Sequence, residues 1–147
     1  MAPSEKIIAG ESTIGQYLPQ KPPVVMIGKL LEVTGTKTMT SLFIKETNLF
    51  CSGGLFREPG LIENMAQTAA AGVGYISKEK GTEPPVGFIG GLRNLYIEEL
   101  PKVGCEIRTE VTLQHEVFDA TVVQGKIFLE ERCIATCELK IFLIKNK

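Results

Sequence analysis

The sequence predicts one α+β domain, a curved antiparallel sheet wrapped around a single mostly buried helix. Three observations carry this. The segment PGLIENMAQTAAAGVGYISKEKG has helical end signals and is apolar nearly all round, as a buried helix is. Runs rich in β-branched and aromatic residues lie on either side of it. The links between those runs are short, which favours antiparallel pairing. With 147 residues, 44% of them apolar, the chain can bury one sizeable core, so a single domain over 1–147 is expected.

From the N-terminus, Ser12 or Thr13 can cap a short helix through about Leu18, which Pro19 stops, and Pro22-Pro23 hold the chain extended. Val24 to Val33 reads as a first strand, Gly35 as a turn, and Thr38 to Lys45 as a second strand. Residues 46–58 read as a loop with paired glycines, Gly53 and Gly54. In the helix that follows, Pro59 suits the first turn, Lys78 and Lys80 the last, and Gly81 the stop. Between Leu61 and Ile76 its strongly polar side chains are Glu63, Asn64 and Gln67, while Ala66, Ala69, Ala70, Ala71, Gly72 and Gly74 are small enough for neighbouring backbones to come close. Val86 to Leu100, interrupted at Gly90-Gly91, opens a four-strand run. In CEIRTEVTL, Cys105, Ile107, Thr109, Val111 and Leu113 alternate with polar residues, and strands around Thr121 to Glu130 and Cys133 to Ile144 follow. Cys133, Ala135, Cys137 and Leu139 share one face of the last strand and read as packing.

A net charge of −1 supplies no basic field, so no nucleic-acid partner is expected. No stretch reaches the ~18 apolar residues of a spanning helix, and the start shows no leader pattern, so no membrane partner and a cytoplasmic location are expected. Four cysteines without a CxxC pair and one histidine, His115, do not make a usual zinc set, and no metal is expected.

Four blocks carry a resemblance. YLPQKPPVVMIGKLLEV resembles the LPHRxPFLLVDRV opening of the 3-hydroxyacyl-(acyl-carrier-protein) dehydratases, and PGLIENMAQTAAA resembles their PGVLIIEAMAQ helix. GFIGGLRNLYIEELPKVGCEIRTEVTL is similar to their FAGIxxARFRxPVxPGDxLxxEVxL, and GKIFLEERCIATCELKIFL to their last hairpin. The similarity runs from about Tyr17 to Leu143. Its wording is nearest to the dehydratase-like proteins of aryl-polyene and flexirubin pathways. The resemblance implies a hot-dog fold, a homodimer or a heterodimer with a paralogue, and a thioester of acyl-carrier-protein or CoA as ligand. It implies no cofactor.

It also implies site residues. Dehydration takes a proton from C2 and delivers one to the leaving C3 hydroxyl, so an acid and a base flank the chain. Glu63 stands where the family has its catalytic carboxylate, and Gln67, one turn on, where a glutamine holds the site's hydrogen bonds. Backbone N–H groups near Gly60 and Leu61, and those of Gly53 and Gly54, are candidates for polarising the thioester carbonyl. The family's histidine is missing: the pre-helix GHFP reads FCSGGLFREPG here, and the histidine of LPH matches Gln20, an amide that takes no proton at neutral pH. His115 reads as an exposed edge histidine, and Cys51 is the other conceivable base. Where many dehydratases are basic near the tunnel mouth, this chain has NLYIEELP with Glu98 and Glu99, which would repel an acidic carrier unless Arg57, Arg93 or Lys102 compensates. The expected function is therefore acyl-thioester binding in the dehydratase family, with dehydratase activity impaired or dependent on a partner. The alternative is a hot-dog thioesterase in which Glu63 activates water.

Overall fold

A computed structural model describes residues 7–144, the side chain of Leu143 apart. Residues 1–6, on which the expected lack of a leader partly rests, lie outside the described residues, as do 145–147.

A 3-10 turn, η1 (Ile14–Tyr17), precedes β1 (Lys29–Val33) and β2 (Lys37–Phe43). The small strands β3 (Cys51–Ser52) and β4 (Leu55–Phe56) lead into the helix α1 (Glu58–Glu79), and β5 (Val86–Ile97), β6 (Glu106–Val117), β7 (Ala120–Leu129) and β8 (Arg132–Ile144) complete the chain. Six strands form one antiparallel sheet in the order β1-β2-β6-β7-β8-β5. Register shifts in the β1–β2, β5–β8, β6–β7 and β7–β8 pairs increase its local twist, so it curves over the helix.

The helix lies in the concave face, about 33 Å long for its 22 residues. Leu61, Met65 and Ala71 are fully buried, as are Ile107, Ile127, Ile134 and Leu139 of the sheet. The small residues set the approach distance. A Cβ on Gly72 would stand 2.1 Å from Oγ1 of Thr38, and one on Gly74 would stand 2.2 Å from the backbone oxygen of Tyr17. The helix ends as its sequence predicts: Gly81 turns the chain at φ +69°, Thr82 N–H donates to Ser77 O (2.9 Å) and Gly81 N–H to Lys78 O (3.1 Å), which satisfies two terminal carbonyls.

Three local expectations change. The first strand begins at Lys29 rather than at Val24, because the backbone groups of Val24 and Met26 are held by the helix, as described below. The expected loop over 46–58 contains the β3–β4 hairpin, whose turn is Gly53-Gly54 with φ +61° and +79°, values that glycine tolerates best. Thr13 sits at the N-cap of η1, yet its hydroxyl accepts from Gly10 N–H (3.1 Å) and caps no η1 amide. On β8, Ala135, Cys137 and Leu139 are buried and Cys133 partly so, in line with the expected packing face.

Candidate active site

The polar trio of α1 divides by depth. Asn64 and Gln67 are fully buried, whereas Glu63 is half-buried. Asn64 Nδ2 donates to Met26 O (2.7 Å), and its Oδ1 accepts from the Thr109 hydroxyl of β6. Gln67 Oε1 accepts from Met26 N–H (2.6 Å), while its Nε2 donates both to Val24 O (2.8 Å) and to Glu63 Oε1 (2.8 Å). Two amides from one helical turn therefore take up backbone groups of residues 24 and 26, groups that β1 does not pair. Leaving a buried backbone group such as those of Met26 unpaired costs about 1–3 kcal/mol, so these bonds hold residues 24 and 26 to the helix until Gly28 N–H joins the sheet at Ser41 O (2.8 Å). Thr68 extends the network, donating to Asn64 O (2.8 Å) and meeting the Thr40 hydroxyl at 2.7 Å.

On the helix face between this staple and β5 a cleft of about 560 Å³ opens. Glu63, Ala66, Ala70 and Val73 line it at one-face helical spacing, flanked by Ala69 and Ile76, so it follows about 20 Å of the helix axis. Residues 16–20 and 84–89 form its sides, and Val111, Leu113, Val123 and Ile141 its sheet wall. The acid is thus the polar point of an otherwise mostly apolar helix face, one oxygen fixed by Gln67.

Of the residues singled out in the sequence, Glu63 and Gln20 line this cleft together, and Gln67 acts on it through Glu63. Gln20 Oε1 is buried and has no hydrogen-bond donor among the described residues. Gly53 and Gly54 form the exposed tip of the β3–β4 hairpin and are not among the cleft's lining residues. Gly60 is buried, where a Cβ would stand 2.6 Å from the Phe56 ring, and Leu61 lies in the core. Their N–H groups both point to Arg57 O, at 2.9 and 3.3 Å, and neither residue lines the cleft. The alanine face at 66, 69 and 70 escaped the sequence reading as a lining, although its spacing from Glu63 was the available signal.

The other titratable candidates lie elsewhere. His115 is exposed on β6. Burial pushes the Cys51 thiol up, away from the thiolate that base or nucleophile chemistry needs. Glu99 is paired with Arg132, and Arg57 with Glu58 (3.0 Å), so the former acid is partly offset and the latter base already engaged. Among the described residues no group of His, Cys, Asp and Glu is placed to hold a metal ion, and no helix is long and apolar enough to cross a membrane.

The family profile described as ApeP-like, ApeP dehydratase, matches residues 12–147. The chain belongs to this family. Of solved structures, the dehydratase heterocomplex ApeI:P from Xenorhabdus doucetiae is similar at TM-score 0.77 and 18% identity, over 90% of this chain and 91% of that one. The uncharacterized protein PH1136 from Pyrococcus horikoshii gives 0.69 at 14% identity, over 89% and 93%. A hypothetical thioesterase protein with coenzyme A from Streptococcus pneumoniae TIGR4 gives 0.65 at 10% identity, over 80% and 86%. No curated protein matches the sequence. At these identities the structural likeness is one of fold, and that fold is the hot-dog: an antiparallel sheet packed on one long central helix, common to ApeP-like dehydratases and thioesterase-like proteins.

Proposed function

We propose that this ApeP-like protein binds an acyl thioester, presented by an acyl-carrier-protein or CoA, in the cleft along α1, with Glu63 as the acid of a dehydratase site that a partner subunit completes. The observation that carries the proposal is the cleft itself: a mostly apolar channel of acyl dimensions with one oriented carboxyl, Glu63, held by Gln67 at 2.8 Å. Glu63 would deliver a proton to the departing C3 hydroxyl. The histidine that serves the resembled dehydratases as base has no counterpart in the matching positions of this chain, and its single histidine is exposed on β6 outside the cleft. A site short of its base is slower by about 10²- to 10⁴-fold, so the lone chain is a weak catalyst in this reading.

The edge strand β5 supports the partner. It ends the sheet order with one side unpaired among the described residues, and Leu92, Leu95 and Tyr96 are exposed on it, an open apolar edge of the kind that pairs with another strand. A second hot-dog subunit, a copy of this chain or a paralogue, fits that edge and brings its own residues to the cleft, since residues 86–89 of β5 are among the lining. The ApeI:P heterocomplex is a precedent for a paralogue. The double substitution Leu92→Lys and Tyr96→Lys is expected to shift the assembly to monomer in light scattering. An unchanged mass would remove β5 as the seam.

Purified protein, alone and mixed with a co-encoded paralogue, should be given 3-hydroxyacyl and acyl thioesters, with enoyl product and free thiol followed separately. Enoyl formation in the mixture, and little from the lone chain, is the expected result. Thiol release from the lone chain would favour the second reading, a thioesterase using Glu63 on water, which the presence of a carboxyl without a histidine in the cleft also fits. Neither product from either sample would end the catalytic proposal.

A further inference from the structure

Thr40 and Thr109 face each other across β2 and β6, and both are fully buried. Each reaches Asn64 on the helix. The Thr109 hydroxyl donates to the side-chain oxygen of Asn64, and Thr40 meets the hydroxyl of Thr68, which gives its one hydrogen to Asn64 O (2.8 Å). The motif that this helix resembles, IEAMAQ, has an alanine at the place of Asn64, so the grip does not come with the motif. A buried side-chain amide costs stability unless its donors and acceptor are met, a demand that an apolar side chain would not make. What the amide holds gives the reason for it.

From Thr109 the hydrogen bonds run in one sense. The hydroxyl donates to Asn64 Oδ1, Asn64 Nδ2 to Met26 O (2.7 Å), Met26 N–H to Gln67 Oε1 (2.6 Å), and Gln67 Nε2 to Glu63 Oε1 (2.8 Å). Thr109, Asn64, Met26 and Gln67 are all buried, so water does not compete for these bonds, and bonds aligned donor to acceptor in a dry interior strengthen one another. Neither amide can turn over without setting like against like, since a backbone carbonyl only accepts and a backbone N–H only donates. Met26 sits between the two, its carbonyl on Asn64 and its N–H on Gln67. Release of the first loosens the second. We infer that Thr109 and Asn64 are positioning residues for Glu63: acting through Met26 and Gln67, they hold one oxygen of the acid from within the core and leave the other for the hydrogen it gives up. This rests on the dehydratase reading above and adds to it two residues, on β6 and α1, that are not among the cleft's lining.

The test reads the Gln67 side-chain amide of the isotope-labelled full chain by NMR, with Gln67→Met identifying its signal. Thr109→Val keeps the shape and removes the hydroxyl, whereas Thr109→Ser keeps the hydroxyl. Solvent exchange of the Gln67 Nε2 hydrogens should be about 3- to 10-fold faster in Thr109→Val, the range of one neutral hydrogen bond, and within about twofold of the wild type in Thr109→Ser. In the mixture with the paralogue, kcat for enoyl formation should fall by about the same 3- to 10-fold in Thr109→Val with KM held within about twofold, and Thr109→Ser should restore it. A merely structural threonine would change the melting temperature and leave both readings as they are. Thr109→Ala repeats the measurements should the valine variant not fold. An unchanged Gln67 amide in the folded variant, a loosened amide with kcat unchanged, or a loss shared by Thr109→Ser overturns the inference while leaving acyl binding and the role of Glu63 intact. Absence of enoyl product from the wild-type mixture overturns the dehydratase reading and the inference with it, whereas the amide signal then still shows whether the bonds themselves are coupled.

Discussion

Glu63→Gln is expected to lower enoyl formation by the assembled protein about 10²- to 10⁴-fold, the usual contribution of a positioned acid. The substitution is nearly isosteric, and its amide oxygen can still accept from Gln67 Nε2, which donates to Glu63 at 2.8 Å in the wild type. The fold and the cleft should therefore persist, and the melting temperature should stay close to that of the wild type. Initial rates measured with the same thioester and the same partner read the effect, with circular dichroism as the check on folding. A rate within about twofold of the wild type would take Glu63 out of the chemistry, and the cleft would then be a binding channel alone.

Gly74→Ala is the substitution expected to damage the fold most for the least added volume. Its Cβ would meet the backbone oxygen of Tyr17 at 2.2 Å and the carbonyl carbon at 3.0 Å, so the obstacle is main chain and cannot rotate aside. Ordinarily alanine gains about 1 kcal/mol over glycine within a helix. Against this, overpacking costs about 1–3 kcal/mol, and a backbone clash belongs at the upper end. The net loss should be about 2 kcal/mol, a fall in melting temperature of about 4–8 °C for a chain of this size. Relief requires η1 to move off the helix, which loosens the small core of Ile14, Leu18, Ile27, Leu30 and Ala71 and the paired rings of Tyr17 and Tyr75, 5.7 Å apart. Gly15→Ala, in η1 itself but with nothing within 4 Å of its Cβ, is the control and should change stability little. Equal melting temperatures for the two variants would show that the approach of η1 to α1 is not as close as described.

The features legible in the sequence are those written in local chemistry. The apolar, small-residue character of 61–76 marked α1 as buried, Gly81 marked its end, and alternation in CEIRTEVTL marked β6, because burial of a helix or strand face needs only its own residues to be stated. The features that escaped depend on partners distant in the chain. Nothing local to Val24 announces that its carbonyl is taken by Gln67, so the strand was expected to begin five residues early. The β3–β4 hairpin is only two residues on each side, too short for alternation to register, though Gly53-Gly54 was visible as a turn. At the site, Glu63 and Gln67 were legible from their helical spacing and the motif that contains them. That Gln20 shares their cleft, and that Gly53, Gly54, Gly60 and Leu61 do not line it, depends on how the segment before β1 and the hairpin before α1 fold back, which pattern alone does not encode.

The three-way grip of Gln67 has a stereochemical outcome. Because its oxygen is committed to the Met26 amide, the side chain cannot turn over, and its nitrogen must stay on one particular oxygen of Glu63. A carboxyl free to spin offers either oxygen from any azimuth; this one keeps one oxygen on the amide and leaves the other for a ligand. In the role proposed for Glu63, a proton donor held in this way meets the two mirror images at C3 unequally, so initial rates with the separate enantiomers are expected to differ, and Gln67→Ala to narrow the difference.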